Sequence, residues 1–305
     1  MKNKYIDEIR GTVIPLPTPF NEDESIDHES LAKYVKFLAD SGIPNVMTTV
    51  GTSRYNLLSS DEIKAVNETV VKAADGKMKT IVANPPFGRQ EDAIEFAEHS
   101  KAIGADLFLA YYPERFYGEE YLLDFFGKIS DAAGIGVLIH EMPMRNGLGG
   151  GSVQYPIETL HKLFDIPNVV GLKEEALDIA YSGTVVRELA KKAVIIGAGG
   201  GMSRYLRDYW TGAQAFLGGI GNFQADVELD FFNAMQTKNY DKAYSIVHDV
   251  EIPLFQKILP FGWHPSLKAI LSLRGHMKKY ERKPMKESPE EERIALDKAL
   301  KNNGW

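Results

Sequence analysis

Eight short apolar runs alternate with segments of helical periodicity, and this alternation narrows the possible folds more than any other feature of the chain. The runs are residues 12–16, 45–50, 80–84, 106–111, 136–141, 169–173, 194–197 and 215–219. Between them, Leu31, Tyr34, Val35 and Leu38 share one helical face, as do Ile63, Val66, Val70 and Val71, and Ala93, Ile94, Phe96 and Ala97. Helix starts agree: Asp27 is placed as an N-cap, and Ser59-x-x-Glu62 reads as a capping box. Gly42, Gly76 and Gly104 follow helical stretches where a left-handed C-cap is expected. Eight strand–helix repeats of roughly 20–35 residues are the form of a (β/α)8 TIM barrel. A doubly wound open sheet would carry a Gly-rich first βα turn, and Pro15-Leu16-Pro17-Thr18-Pro19-Phe20 stands there instead.

After residue 224 the runs cease and helical patterns remain, over 226–236, 240–259, 265–279 and 289–302. The expected organisation is a barrel over 1–224 and a C-terminal helical appendage over 225–305. A chain of 305 residues, 44% apolar and 25% charged, is long enough to bury a large core without a staple. The absence of cysteine excludes disulfide and thiolate chemistry. Seven scattered histidines with no paired acidic strand ends point to no metal. A formal charge of -7 argues against a nucleic-acid surface. No run approaches the roughly 20 apolar residues of a membrane span, and the first residues lack the apolar core of a secretion signal. A cytoplasmic protein with no membrane and no nucleic-acid partner is the expectation.

In such a barrel the chemistry lies at the C-terminal ends of the strands. Lys173 ends the sixth run, and alternation puts Val169, Gly171 and Lys173 on one face. Gly171 is expected to leave open space before the lysine. An ammonium in an apolar cavity is penalised for its charge, which favours the neutral amine that attacks ketones. A strand-end lysine reaching to solvent is the other reading. His140 and Glu141 end the fifth run on opposite faces, so at most one enters the barrel. His140 suits a general acid or base, or a bond to a backbone carbonyl. Arg145 has the fork that grips a carboxylate, or it faces solvent. Thr52 and Ser53 offer hydroxyls and amides at a turn. Tyr111 and Tyr112 end the fourth run, as proton carriers or as packing. The runs from Gly197 to Gly201 and from Gly218 to Asn222 are permissive turns, with Gly199 and Ile220 as candidate substrate contacts.

Taken in order, Thr18-Pro19-Phe20, Gly51-Thr52-Ser53, Leu58-Ser59-x-x-Glu62, Tyr111-Tyr112, Pro143 with Arg145, Gly171-x-Lys173-Glu174 and the two glycine runs form a pattern. Over essentially the whole chain it resembles the dihydrodipicolinate synthase/N-acetylneuraminate lyase family of class I aldolases. The resemblance implies an imine between Lys173 and pyruvate or a related 2-oxo acid, with no cofactor beyond that covalent bond. It places Thr52 and Ser53 on the substrate carboxylate and Arg145 on a second carboxylate. It also implies a tyrosine, Tyr112, lent across a subunit contact in a homodimer or homotetramer.

The sequence departs from the family pattern where the family's strand-five tyrosine would stand. That position is His140, and Glu141 replaces the following asparagine. A phenol with pKa of about 10 and an imidazole of about 6.5 are different proton donors. This argues against the lysine-pathway synthase itself. His140, aided by Tyr112, is then expected to move protons, and Arg54 is expected to add a cation at the pocket mouth. C–C bond cleavage or condensation is the first expectation. Dehydration or aldol cleavage of a 2-keto-3-deoxy sugar acid by the same imine is the alternative, and a non-catalytic 2-oxo acid or sugar-acid binding protein is the second.

Overall fold

The computed structural model describes residues 3–113, 115–141, 144–145, 152–176 and 178–305, the side chains of 144, 145, 152 and 153 excepted. Among the described residues ten strands occur, in chain order: β1 (Gly11–Pro15), β2 (Asn45–Met47), β3 (Lys79–Ala83), β4 (Leu107–Ala110), β5 (Gly136–His140), β6 (Met144–Arg145), β7 (Ser152–Val153), β8 (Val169–Glu174), β9 (Val194–Gly197) and β10 (Ala215–Leu217). Eight of them close a barrel in the order β1-β10-β9-β8-β5-β4-β3-β2, while β6 and β7 form a separate antiparallel ladder. All eight expected strands are present, with ends within three residues of the apolar runs.

The helices are α1 (Tyr5–Glu8), α2 (His28–Asp40), α3 (Ser60–Ala74), α4 (Gln90–Ala102), α5 (Glu119–Ala133), α6 (Ile157–Leu163), α7 (Ile179–Leu189), α8 (Gly201–Asp208), α9 (Ala225–Gln236), α10 (Tyr240–Ser245), α11 (Ile252–Ile258), α12 (Trp263–Leu273) and α13 (Glu290–Lys301). Their starts follow the side chains. The Asp27 carboxylate accepts from the Ser30 amide, and Ser59 and Glu62 exchange two hydrogen bonds at the head of α3. Each satisfies donors that a helix end leaves open. The single helix expected over 240–259 is three pieces, because a π segment at Ile246–Glu251 lies between α10 and α11.

By internal contacts the chain forms two compact units, residues 1–13 with 79–217 and residues 14–78 with 218–305. The boundary expected at residue 224 falls inside the second. The first unit buries Phe108, Phe126, Ile129, Leu138, Ile196 and Phe216, among others. In the second, Leu31, Tyr34, Val35 and Leu38 are fully buried, as their spacing predicts. Each such side chain contributes roughly 1.5–3 kcal/mol of hydrophobic stabilisation. The Tyr34 hydroxyl, also buried, donates at 2.8 Å to Asn222 Oδ1.

Candidate active site

β8 is apolar up to Leu172, then ends in two buried charged residues. Their side chains leave the strand on opposite faces. Glu174 turns to the outer helices, where its carboxylate accepts from the Ser182 hydroxyl at 2.7 Å and the Ala176 amide at 2.9 Å. Arg204 of α8 pairs with Glu174 and, at 3.1 Å, with Asp208. This buried network fixes the end of β8 from behind.

Lys173 turns the other way and is 3% exposed, so it does not reach out to solvent. It stands in register with His140 of β5, and its Nζ lies 2.7 Å from His140 Nε2. A third group completes the cluster. The Glu175 carboxylate accepts from Lys173 Nζ, and the same oxygen lies 3.2 Å from His140 Nε2. The lysine therefore meets a carboxylate and an imidazole, where an apolar cavity was expected. Nor does Gly171 leave open space. A Cβ there would come within 2.6 Å of the Val194 carbonyl oxygen and 2.7 Å of Leu138 Cδ2. The glycine is needed for close packing among β5, β8 and β9.

Charge follows from these contacts. Burial, then the Lys173 charge, pushes the His140 pKa down to about 4, with Glu175 opposing. The ring is neutral at pH 7. When Lys173 donates to Nε2, the ring proton sits on Nδ1, which has no hydrogen-bond partner among the described residues. Desolvation pushes Glu175 up, but the Lys173 charge and the His140 contact outweigh it and hold the carboxylate well below its usual range. The Tyr111 ring stacks on the His140 ring, centroids 4.4 Å apart. Glu141 is 2% exposed, and its burial raises its pKa to about 7 against the pull of Tyr181 and Arg204.

A buried amine beside a proton acceptor at the end of a barrel strand is equipped for imine chemistry. The model of the dihydrodipicolinate synthetase family matches residues 8–303. The chain belongs to that family. It is 24% identical over 308 residues to a 4-hydroxy-tetrahydrodipicolinate synthase from Methanopyrus kandleri, covering 97% of each chain. It is 27% identical over 292 residues to a probable 5-dehydro-4-deoxyglucarate dehydratase from Bacillus licheniformis, covering 93% of this chain and 91% of that one. Its fold matches the crystal structure of N-acetylneuraminate lyase from Mycoplasma synoviae, with a TM-score of 0.84 and 22% identity over 97% and 98% of the two chains.

The other expected residues of this family member are distributed as follows. Tyr112 is buried edge-on against Phe125, centroids 5.2 Å apart, and its phenol pKa is raised by burial. Gly199 is exposed with φ +73°, in the turn after β9. Arg145 has its backbone in β6, and its side chain and Pro143 lie outside the described residues. In the second compact unit, Thr52 and Ser53 are buried in one 3-10 turn, and Ile220 is buried in another. The Ser53 hydroxyl donates to the Leu16 carbonyl at 2.5 Å. Arg54 brings no free cation. It is 4% exposed and paired at 2.9 Å with the buried Glu281 carboxylate. Among the described residues no group of His, Asp or Glu could hold a metal ion, and no helix is long and apolar enough to cross a membrane.

Glu175 is the site residue that the sequence reading passed over. The signal was available: positions 173 and 175 share a face if the strand's period of two runs one residue past its end.

Proposed function

We propose that the protein is a class I lyase in which Lys173 forms a Schiff base with pyruvate or a related 2-oxo acid. The observation that carries this reading is the buried Lys173 amine, 2.7 Å from His140 Nε2. The imine is an electron sink for the adjacent bond, so either C–C cleavage and condensation or C–O loss follows from it. In this reading Thr52 and Ser53 serve the substrate carboxylate, with Gly199 and Ile220 as backbone contacts and Arg145 for a second anionic group. Tyr112 assists proton transfer across a subunit contact in a homodimer or homotetramer.

The 27% identity to the probable dehydratase supports a second outcome of the same imine, dehydration of a 2-keto-3-deoxy sugar acid. Pyruvate release measured against water loss separates the two. Borohydride reduction in the presence of pyruvate or a 2-keto-3-deoxy sugar acid tests the imine itself. Reduced adduct on the Lys173 peptide is expected. Folded protein that binds these acids without an adduct would leave a binding protein and contradict the reading.

A further inference from the structure

We infer that Glu175 is the proton-transfer residue of the Lys173 imine, taking the proton that the ammonium must lose and returning it to the departing oxygen. The inference rests on the imine reading above and adds a catalytic residue to it.

Three observations converge on Glu175. Its carboxylate touches Lys173 Nζ, the reacting atom, and lies 3.2 Å from His140 Nε2. Its side chain is 40% exposed, against 4% for those of Lys173 and His140, so of the three it alone has substantial contact with solvent. Taking the Lys173 proton would make the buried His140 a cation, which its burial opposes, whereas the same proton makes Glu175 neutral. Among the described residues, Glu141 is the neighbouring carboxyl, Tyr111 stacks on the imidazole, and Glu174 is engaged by Arg204 on the opposite side of β8.

The proton balance closes without an outside donor. Glu175 takes a proton from the Lys173 ammonium, giving a neutral amine and a carboxylic acid. The amine lone pair forms the C–N bond to the ketone carbon, and the C=O π pair moves to oxygen, which takes the proton back from Glu175. Glu175 then removes one proton from the nitrogen and delivers it to the hydroxyl. The C–O bond breaks, water leaves, and the nitrogen lone pair forms the C=N bond. The product is a protonated imine with Glu175 again a carboxylate beside it. The charge is the same at the start and the end, so the ion pair seen at rest also serves the intermediate.

A spectator ion pair would give the same resting geometry, and kinetics separate the two. Trapping of pyruvate by cyanoborohydride is followed by mass on the Lys173 peptide, in wild type, Glu175→Gln and Glu175→Gly, with thermal midpoints showing that each is folded. General acid–base groups contribute on the order of 100-fold or more. The Gln variant should therefore trap on the order of 100-fold more slowly at pH 7, and its rate should climb with pH as hydroxide replaces the carboxylate. Formate should restore a large part of the rate in the Gly variant. Wild-type rate and pH profile in the Gln variant, or no response of a slow Gly variant to formate, would overturn the role of Glu175 and leave the imine intact. No adduct in wild type would overturn both.

Discussion

At neutral pH the His140 imidazole carries no charge, because burial and the Lys173 ammonium push its pKa down to about 4. In the unfolded chain the same ring takes a proton near its ordinary value of about 6.5. Between these values the unfolded state binds more protons, so stability is lost as pH falls from 6.5 towards 4, by up to about 3 kcal/mol. Glu141 works with the opposite sign, since its pKa is raised to about 7 and its folded form holds the extra proton. Urea unfolding at pH 6.5 and pH 5 should show a smaller loss in His140→Gln than in wild type. Glu141 is common to both, so equal losses would contradict the account of His140. Arg54 makes a different prediction. With Glu281 stripped of its ion-pair partner and only the Lys268 charge near it, Arg54→Ala should lose about 3 kcal/mol of stability. A raised KM at unchanged stability would return Arg54 to the pocket mouth. The place of Lys173 and His140 at strand ends was legible because both end apolar runs. The burial of Arg54 was not, because its partner is far along the chain at 281.

Helix heads are set by neighbouring residues, and they were read closely. The Ser59–Glu62 box and the Asp27 cap form as their spacing predicts, since capping involves residues three apart. What reaches those helices from afar was hidden. Arg282 grips the Glu62 carboxylate with both terminal nitrogens, at 2.7 and 2.8 Å. Gly171 shows the same limit within a strand. Its place on the Lys173 face was legible, yet only the approach of β5 and β9 reveals that no side chain fits there. Gly171→Ala should cost about 1–3 kcal/mol, as strained small-to-large changes do. An unchanged urea midpoint would show that Val194 and Leu138 can give way.

Barrel closure follows from eight alternations and so was visible in the residues alone. The two compact units were not, because each joins stretches from both halves of the chain. Family membership and the barrel bear on Lys173 together, since the fold puts strand ends where substrates bind. The most direct test is the mass of the Lys173 peptide after borohydride reduction with pyruvate or a 2-keto-3-deoxy sugar acid. The account predicts the mass of the reduced adduct on that peptide and none in Lys173→Ala. An unmodified Lys173 in folded protein that turns the acid over would contradict it.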